Sequence, residues 1–379
     1  MTDEDLHAHL IGRQGGRWLF NTPVLVVELD ALKRNIVRMA EFAKAHGVKL
    51  RPHAKTHKSA EIAGLQISAG AIGACCAKLG EAEALADGGI LSGLLITSPV
   101  VSTPAIIRLH TLNRRTRDLM VVVDHPQNAR RLADPTLGET PLKVLIDVDP
   151  GMRRTGVASP EAAVDLLHAI RAEPALEYAG VQFYCGDLQH VEAYAERRAA
   201  MQPRAAYLKT VIAALAGAGG APGIVTGGGT GTHAIDVGLG VFTELQAGSY
   251  VFMDAQYGDC ALRGDEAQPF ETALTVDARV VSANAPGQVT LDAGLKAFAT
   301  DAGPPIPLAG APEGSTYRFM GDEHGALITG DAPPPALGEV VTLAAPHCDP
   351  TVNLYDSFHV VQGDTLRALW PISGRGRGR

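Results

Sequence analysis

Along the first two-thirds of the chain, short apolar runs alternate with stretches of helical spacing. The run 24–29 precedes 31–46, where Leu32, Ile36, Met39 and Phe42 share one helical face. Eight further runs read as strands: 48–51, 72–75, 94–97, 119–124, 144–148, 180–184, 223–226 and 242–246. Between them, 59–69, 78–87, 104–112, 126–133, 160–171 and 191–216 read as helices. Alternating strands and helices predict a parallel sheet with helices outside it. Eight such units over about 200 residues have the size of a (β/α)8 TIM barrel. A doubly wound open sheet is the alternative.

The pattern changes near residue 265. Runs at 272–283, 288–292, 316–320, 340–344, 358–362 and 365–371 read as strands, joined by turns rich in Gly and Pro such as 302–307 and 331–338. No helix is expected among them, so a C-terminal, mainly-β domain follows. The first run, 24–29, fits either unit.

Composition adds limits. Glycine numbers 42 of 379 residues, without a Gly-X-Y period, so the chain is not collagen-like. Its clusters fall after apolar runs, where tight turns and binding loops belong. The net charge of −8 and the lack of a basic stripe argue against a nucleic-acid partner. No apolar run reaches the ~20 residues of a membrane helix, and no secretory signal pattern opens the sequence. Five scattered cysteines form neither a disulfide framework nor a CxxC pair. A reducing, cytoplasmic setting is the resulting expectation.

In such a barrel, chemistry gathers at the C-terminal ends of the strands. The sequence after the seventh barrel strand is Thr226-Gly227-Gly228-Gly229-Thr230-Gly231, and Gly248-Ser249 follows the eighth. Glycines allow close approach of backbone N–H groups to a phosphate, and Thr230 adds a hydroxyl. Lys55 follows the first barrel strand, flanked by His53 and His57. A desolvated lysine at a barrel mouth is a nucleophile for carbonyls. A phosphate loop facing such a lysine points to pyridoxal phosphate held as a Schiff base. In the β domain, His347 and Asp349 would share one side of an extended segment, a donor pair suited to Mg²⁺ or Mn²⁺.

Taken together, these residues resemble the D-threonine aldolase/D-serine dehydratase group of pyridoxal-phosphate enzymes, which share the alanine racemase fold. The resemblance spans nearly the whole chain. It rests on RPHAKTHK at 51–58, GMRRTGV at 151–157, TGGGTG at 226–231, ELQAGSYVFMD at 244–254, LDAGLK at 291–296, DEHG at 322–325 and HCDPTVNLYD at 347–356. It implies a pyridoxal-phosphate barrel at 30–262 and a discontinuous β domain from 1–29 and 263–379, in a homodimer. By this resemblance Lys55 carries the cofactor and Arg154 faces its phenolate oxygen. Tyr184 and Gln246 lie near its ring. Thr230, Gly248, Ser249 and Tyr257 hold the phosphate with Gly228 and Gly229, while His347 and Asp349 bind the metal.

Within the group, dehydratases tend to carry a His-x-Cys zinc pair and aldolases a His-x-Asp pair with manganese or magnesium. His347-x-Asp349 therefore implies a lyase that cleaves D-3-hydroxy amino acids to glycine and an aldehyde. The alternative is a zinc dehydratase of D-serine or D-3-hydroxyaspartate. A pyridoxal-phosphate carrier without catalysis would resemble the barrel alone. His190 is the first candidate for the base that deprotonates the substrate hydroxyl, and His53 the second. Two departures concern the substrate: Ala77 stands where related aldolases usually carry glutamine, and Phe183-Tyr184-Cys185-Gly186-Asp187 differs from the usual small-Tyr-X-Gly-small pattern.

Overall fold

A computed structural model describes residues 1–134, 136–137, 140–264 and 267–379. The chain divides into two compact units. One comprises 1–36, 249–259 and 270–375; the other comprises 37–248, 260–269 and 376–379. The segment 249–259, assigned from sequence to the barrel, groups with the β unit.

The first strand, β1 (Val24–Glu28), pairs antiparallel with a strand of the C-terminal third and parallel with another. This places the run that fitted either unit in the β unit. Eight parallel strands build the other unit: β2 (Lys49–Leu50), β3 (Ala74–Cys76), β4 (Leu94–Ile96), β5 (Met120–Val123), β6 (Leu142–Asp147), β7 (Leu176–Phe183), β8 (Ile224–Gly227) and β9 (Glu244–Leu245). Their order, β2-β9-β8-β7-β6-β5-β4-β3, leaves β2 and β3 at the two ends of the path. A parallel bridge between His53 and Cys75 joins those ends, with Ile72 N donating to Leu50 O (2.9 Å) and Cys75 N to Pro52 O (2.8 Å). The sheet is therefore a closed (β/α)8 barrel, not an open doubly wound one.

The barrel strands are short and apolar because both of their faces are covered. Met120–Val123 is wholly buried, and Cys75, Leu95, Met120, Val122 and Leu145 pack as one cluster. Helix starts follow local capping rules. Ser159 Oγ accepts from Ala162 N (3.1 Å) while Pro160 opens the helix Pro160–Arg171. The last long helix, Tyr194–Gly217, carries Pro203 inside it. No described helix is long and apolar enough to cross a membrane.

A buried ion pair ties the barrel together. Arg51, just past β2, holds Glu244 of β9 with both ends of its guanidinium (Nε–Oε2 3.0 Å, Nη2–Oε1 3.1 Å). Its third nitrogen donates to Gly93 O. Both side chains are almost fully buried, so neither charge has water as a substitute partner.

The β unit is built from β1 with β10 (Leu274–Ser282), β11 (Gln288–Leu291), β12 (Ile306–Ala309), β13 (Thr316–Phe319), β14 (Gly325–Ile328), β15 (Val340–Ala344), β16 (Ser357–Gln362) and β17 (Thr365–Pro371). Two of these departures from the sequence pattern are additions. Strand β12 begins inside the stretch expected as a turn, and β14 was not foreseen. A short helix, Cys348–Val352, also interrupts the strands. The expectation that His347 and Asp349 lie on an extended segment is therefore corrected. His347 is the N-cap of that helix, with β-region dihedrals, and Asp349 lies in its first turn. The cause is local: Pro350 suits an early helical position and an acidic residue suits the N-terminal end.

Candidate active site

In the barrel, Lys55 sits half-buried in the tight turn Ala54–Thr56 just beyond β2. His53 Nδ1 accepts from Lys55 N (3.4 Å), and its Nε2 meets Thr97 Oγ1 (3.1 Å). An acceptor at Nδ1 places the ring proton on Nε2, so His53 donates to Thr97. His57 is fully buried, with Nδ1 accepting from Ser59 N (3.2 Å) and Nε2 facing Gln66 Oε1 (3.3 Å), a structural arrangement. Gly248 lies against the same turn: a Cβ there would come within 2.8 Å of His53 O and 2.9 Å of Thr56 Oγ1.

A continuous polar layer crosses the strand ends from this turn. Thr97 O accepts from Gln182 Nε2 (3.2 Å), which also donates to Asp147 Oδ1 (3.0 Å). Gln182 Oε1 accepts from Gln246 Nε2 (3.2 Å), and Gln246 also reaches Thr226 Oγ1 (3.1 Å). The layer thus links the Lys55 turn to Gln246 and to Asp147. Burial raises the Asp147 carboxyl pKa to about 6, against the lowering effects of Thr155, Gln182 and Arg154. Sequence reasoning missed Thr97, Asp147, Gln182 and Thr226. Their signal was present: Asp147 and Gln182 are single polar residues inside apolar strand runs.

Arg154 and Tyr184 come together, with the guanidinium carbon 5.4 Å from the ring centroid. The loop carrying Arg154 is wrapped around Asp149, whose Oδ1 accepts from Gly151 N, Met152 N and Arg153 N at 2.8–3.0 Å. Asp187 pairs with Arg204 (3.1 Å). His190 is half-buried in the turn before the helix Tyr194–Gly217.

The glycine loop is fastened by a residue not anticipated, Gln189. Its Nε2 donates to Cys185 O and Thr232 Oγ1 (3.0 Å each), and its Oε1 accepts from Gly231 N (3.1 Å). A Cβ on Gly229 would lie 2.3 Å from Gln189 Oε1, and one on Gly231 would lie 1.9 Å from Gln189 O. Gly228, at φ +71, would meet Asp236 Oδ2 at 2.3 Å. Gly229 N donates to Thr232 Oγ1 (3.2 Å), which in turn donates to Asp236 Oδ2 (2.6 Å). So Gly228 and Gly229 shape the loop, which carries the buried hydroxyl of Thr230. Asp236 is completely buried, and its pKa is raised to about 7.

In the β unit, His347 Nδ1 donates to Asp301 Oδ2 (2.7 Å), which leaves the ring lone pair on Nε2. Asp349 Oδ1 accepts from Ser249 Oγ (3.3 Å). Asp254 joins the remaining parts: Oδ1 accepts from Tyr257 N (2.9 Å) and Oδ2 from Cys348 N (2.7 Å). Burial and the neighbouring carboxylates push the Cys348 thiol up, so it stays protonated. Asp301 and Asp254 are further residues the sequence reading missed.

A second histidine cluster in this unit is not a metal site. Ligand atoms of Asp3, His7 and His359 lie within 4.8 Å of one another. Yet His7 Nε2 accepts from Asn21 N (2.9 Å), so its proton sits on Nδ1 and points at His359 Nε2, 2.8 Å away. A cation there would face that proton.

The donor sets fit the groups implied. A half-buried lysine, an arginine beside a tyrosine, a buried threonine hydroxyl and a polar layer suit pyridoxal phosphate in the barrel unit. A histidine held by a carboxylate, with a second carboxylate two residues on, suits a divalent cation in the β unit.

These features define an alanine racemase-type barrel enzyme, and the chain belongs to that family. Residues 27–256 match the family model described as alanine racemase, N-terminal domain, and residues 273–361 match a putative serine dehydratase domain. The chain is 38% identical over 362 residues to 3-hydroxy-D-aspartate aldolase of Paracoccus denitrificans (strain Pd 1222), covering 94% of this chain and 92% of that one. The structure of D-threonine aldolase from Filomicrobium marinum superposes with a TM-score of 0.90 at 39% identity, covering 95% of this chain and 97% of that one. D-threo-3-hydroxyaspartate dehydratase of Delftia sp. (strain HT23) is more distant, 33% identical over 296 residues, or 75% of this chain and 74% of that one.

Proposed function

We propose that this protein is a pyridoxal-phosphate- and divalent-metal-dependent aldolase. It cleaves D-3-hydroxy amino acids of the D-threonine type at Cα–Cβ, giving glycine and an aldehyde. The observation that carries this reading over a dehydratase is the residue at 349: an aspartate, beside a histidine already oriented by Asp301. The greater likeness to two aldolases than to the dehydratase supports it.

Lys55 Nζ would bind the cofactor, with Arg154, Tyr184 and Gln246 around the ring. Thr230, Gly248, Ser249 and Tyr257 would hold the phosphate. When bound, pyridoxal phosphate supplies an electron sink for the pair left on Cα. His347 and Asp349 would hold Mn²⁺ or Mg²⁺, which lowers the pKa of a hydroxyl bound to it. His190 removes the proton of the substrate's β-hydroxyl. His53 is less suited, because its Nδ1 accepts from Lys55 N and its Nε2 faces Thr97. Its part is to position the lysine turn. The protein acts as a cytoplasmic homodimer.

A product assay tests the reading. The purified protein is incubated with pyridoxal phosphate, Mn²⁺ or Zn²⁺, and D-threonine, D-serine or D-3-hydroxyaspartate. Glycine and an aldehyde are expected; ammonia and a keto acid would establish the dehydratase instead.

A further inference from the structure

Asp236 is fully buried behind the glycine loop. A Cβ on Gly228 would lie 2.3 Å from its Oδ2 and 3.0 Å from its Cγ, so the carboxyl packs directly against the loop backbone. Oδ2 accepts from Thr232 Oγ1 (2.6 Å), and that hydroxyl oxygen in turn accepts from Gly229 N (3.2 Å) and Gln189 Nε2 (3.0 Å). Oδ1 is buried and has no hydrogen-bond partner. The titratable groups beside Asp236 bring no positive charge. His233 donates Nδ1–H to Thr230 O (2.7 Å), and burial lowers its pKa to about 4, so it is neutral at pH 7. Burial likewise pushes the Cys185 thiol up to about 12, and Asp236 adds to that rise. Among the described residues no basic side chain forms an ion pair with Asp236. A buried carboxylate with one oxygen unpaired is costly, and the neutral carboxyl far less so.

We propose that Asp236 is a proton-linked switch of the glycine loop, which receives a phosphate while this carboxyl is protonated and releases it when the carboxyl ionises. The inference rests on the proposed function, in which this loop takes the phosphate end of the cofactor. An ionised Asp236 places a negative charge against the buried side of Gly228. A phosphate taken up by the same loop would be repelled by it, with little screening in so buried a place. Ionisation also strengthens the bond from Thr232 Oγ1 to Oδ2, which holds the hydroxyl that Gly229 N already serves. A protonated Asp236 removes the repulsion and keeps the loop intact. By linkage, uptake of a phosphate raises the pKa of Asp236 and draws one proton from solvent onto its carboxyl.

The test uses pyridoxine 5′-phosphate, which carries the phosphate but forms no Schiff base with a lysine. Its affinity for the full chain, stripped of cofactor, is measured by calorimetry from pH 6 to 9, for the wild type and for Asp236→Asn. The probe's own phosphate ionises equally in both titrations, so the ratio of the two dissociation constants isolates Asp236. Wild type is expected to weaken about tenfold relative to the variant between pH 7 and 8.5. A constant ratio would overturn the switch while leaving the phosphate role of the loop standing. Absence of binding to the wild type at every pH would overturn that role, and the switch with it.

A second measurement needs no variant. In carboxyl ¹³C NMR of the wild-type chain, Asp236 is expected to titrate near 7 without the probe. Saturating probe should move that midpoint up by about one unit or more. A midpoint that the bound probe leaves in place would overturn the proposal.

Discussion

Single residues carry the chemistry, and three can be tested alone. Lys55→Ala should give a colourless protein that acquires no visible band on addition of pyridoxal phosphate; an unchanged spectrum would remove Lys55 from its role. Asp301→Asn should weaken metal binding about 10- to 100-fold by releasing the His347 ring, as titration calorimetry with Mn²⁺ would show. Asp236 supplies a pH dependence. Its native pKa is about 7, above the ordinary value of 3.8, so the native state binds more protons than the unfolded chain between those values. Stability should therefore fall as pH rises from about 4 to 7, through this residue's contribution. Asp236→Asn should flatten that part of the urea-denaturation profile. Lys55, His347 and Asp349 were put forward as candidates from the sequence because strand ends and short motifs are local. Asp301 was not, since it lies 46 residues from the histidine it orients.

At the level of elements, the alternation of apolar runs and helical stretches located all eight barrel strands, because a fully covered parallel strand must be apolar. It did not reveal β14, four residues long, nor the short helix after His347. Both are too brief for a period to register. Nor did it show that Arg51, just past β2, and Glu244 of the neighbouring β9 are partners. Arg51→Met should cost about 3–5 kcal/mol in a denaturation experiment, because it strands a buried carboxylate. The glycine loop has a similar dependence on a distant partner. What fixes it is Gln189, which forbids a side chain at Gly229 and Gly231.

Over the whole molecule, the candidate groups fall in both units. Lys55, Arg154 and the glycine loop belong to the barrel unit, and Ser249, Tyr257 and the candidate metal ligands to the β unit. Chelation should therefore abolish cleavage while leaving the visible cofactor band in place; loss of both together would contradict the separate assignments. Periodicity and motif were enough for the barrel and a mainly-β domain after it, and for putting forward Lys55, His347 and Asp349 as candidates. All of these depend on residues near one another in the chain. The polar layer from His53 through Thr97, Gln182 and Gln246, the anchor on His347 and the place of Asp147 came only with the folded chain. Each joins residues far apart in the chain, and the pairing of a polar atom is set by which segments packing brings together rather than by any neighbour in sequence.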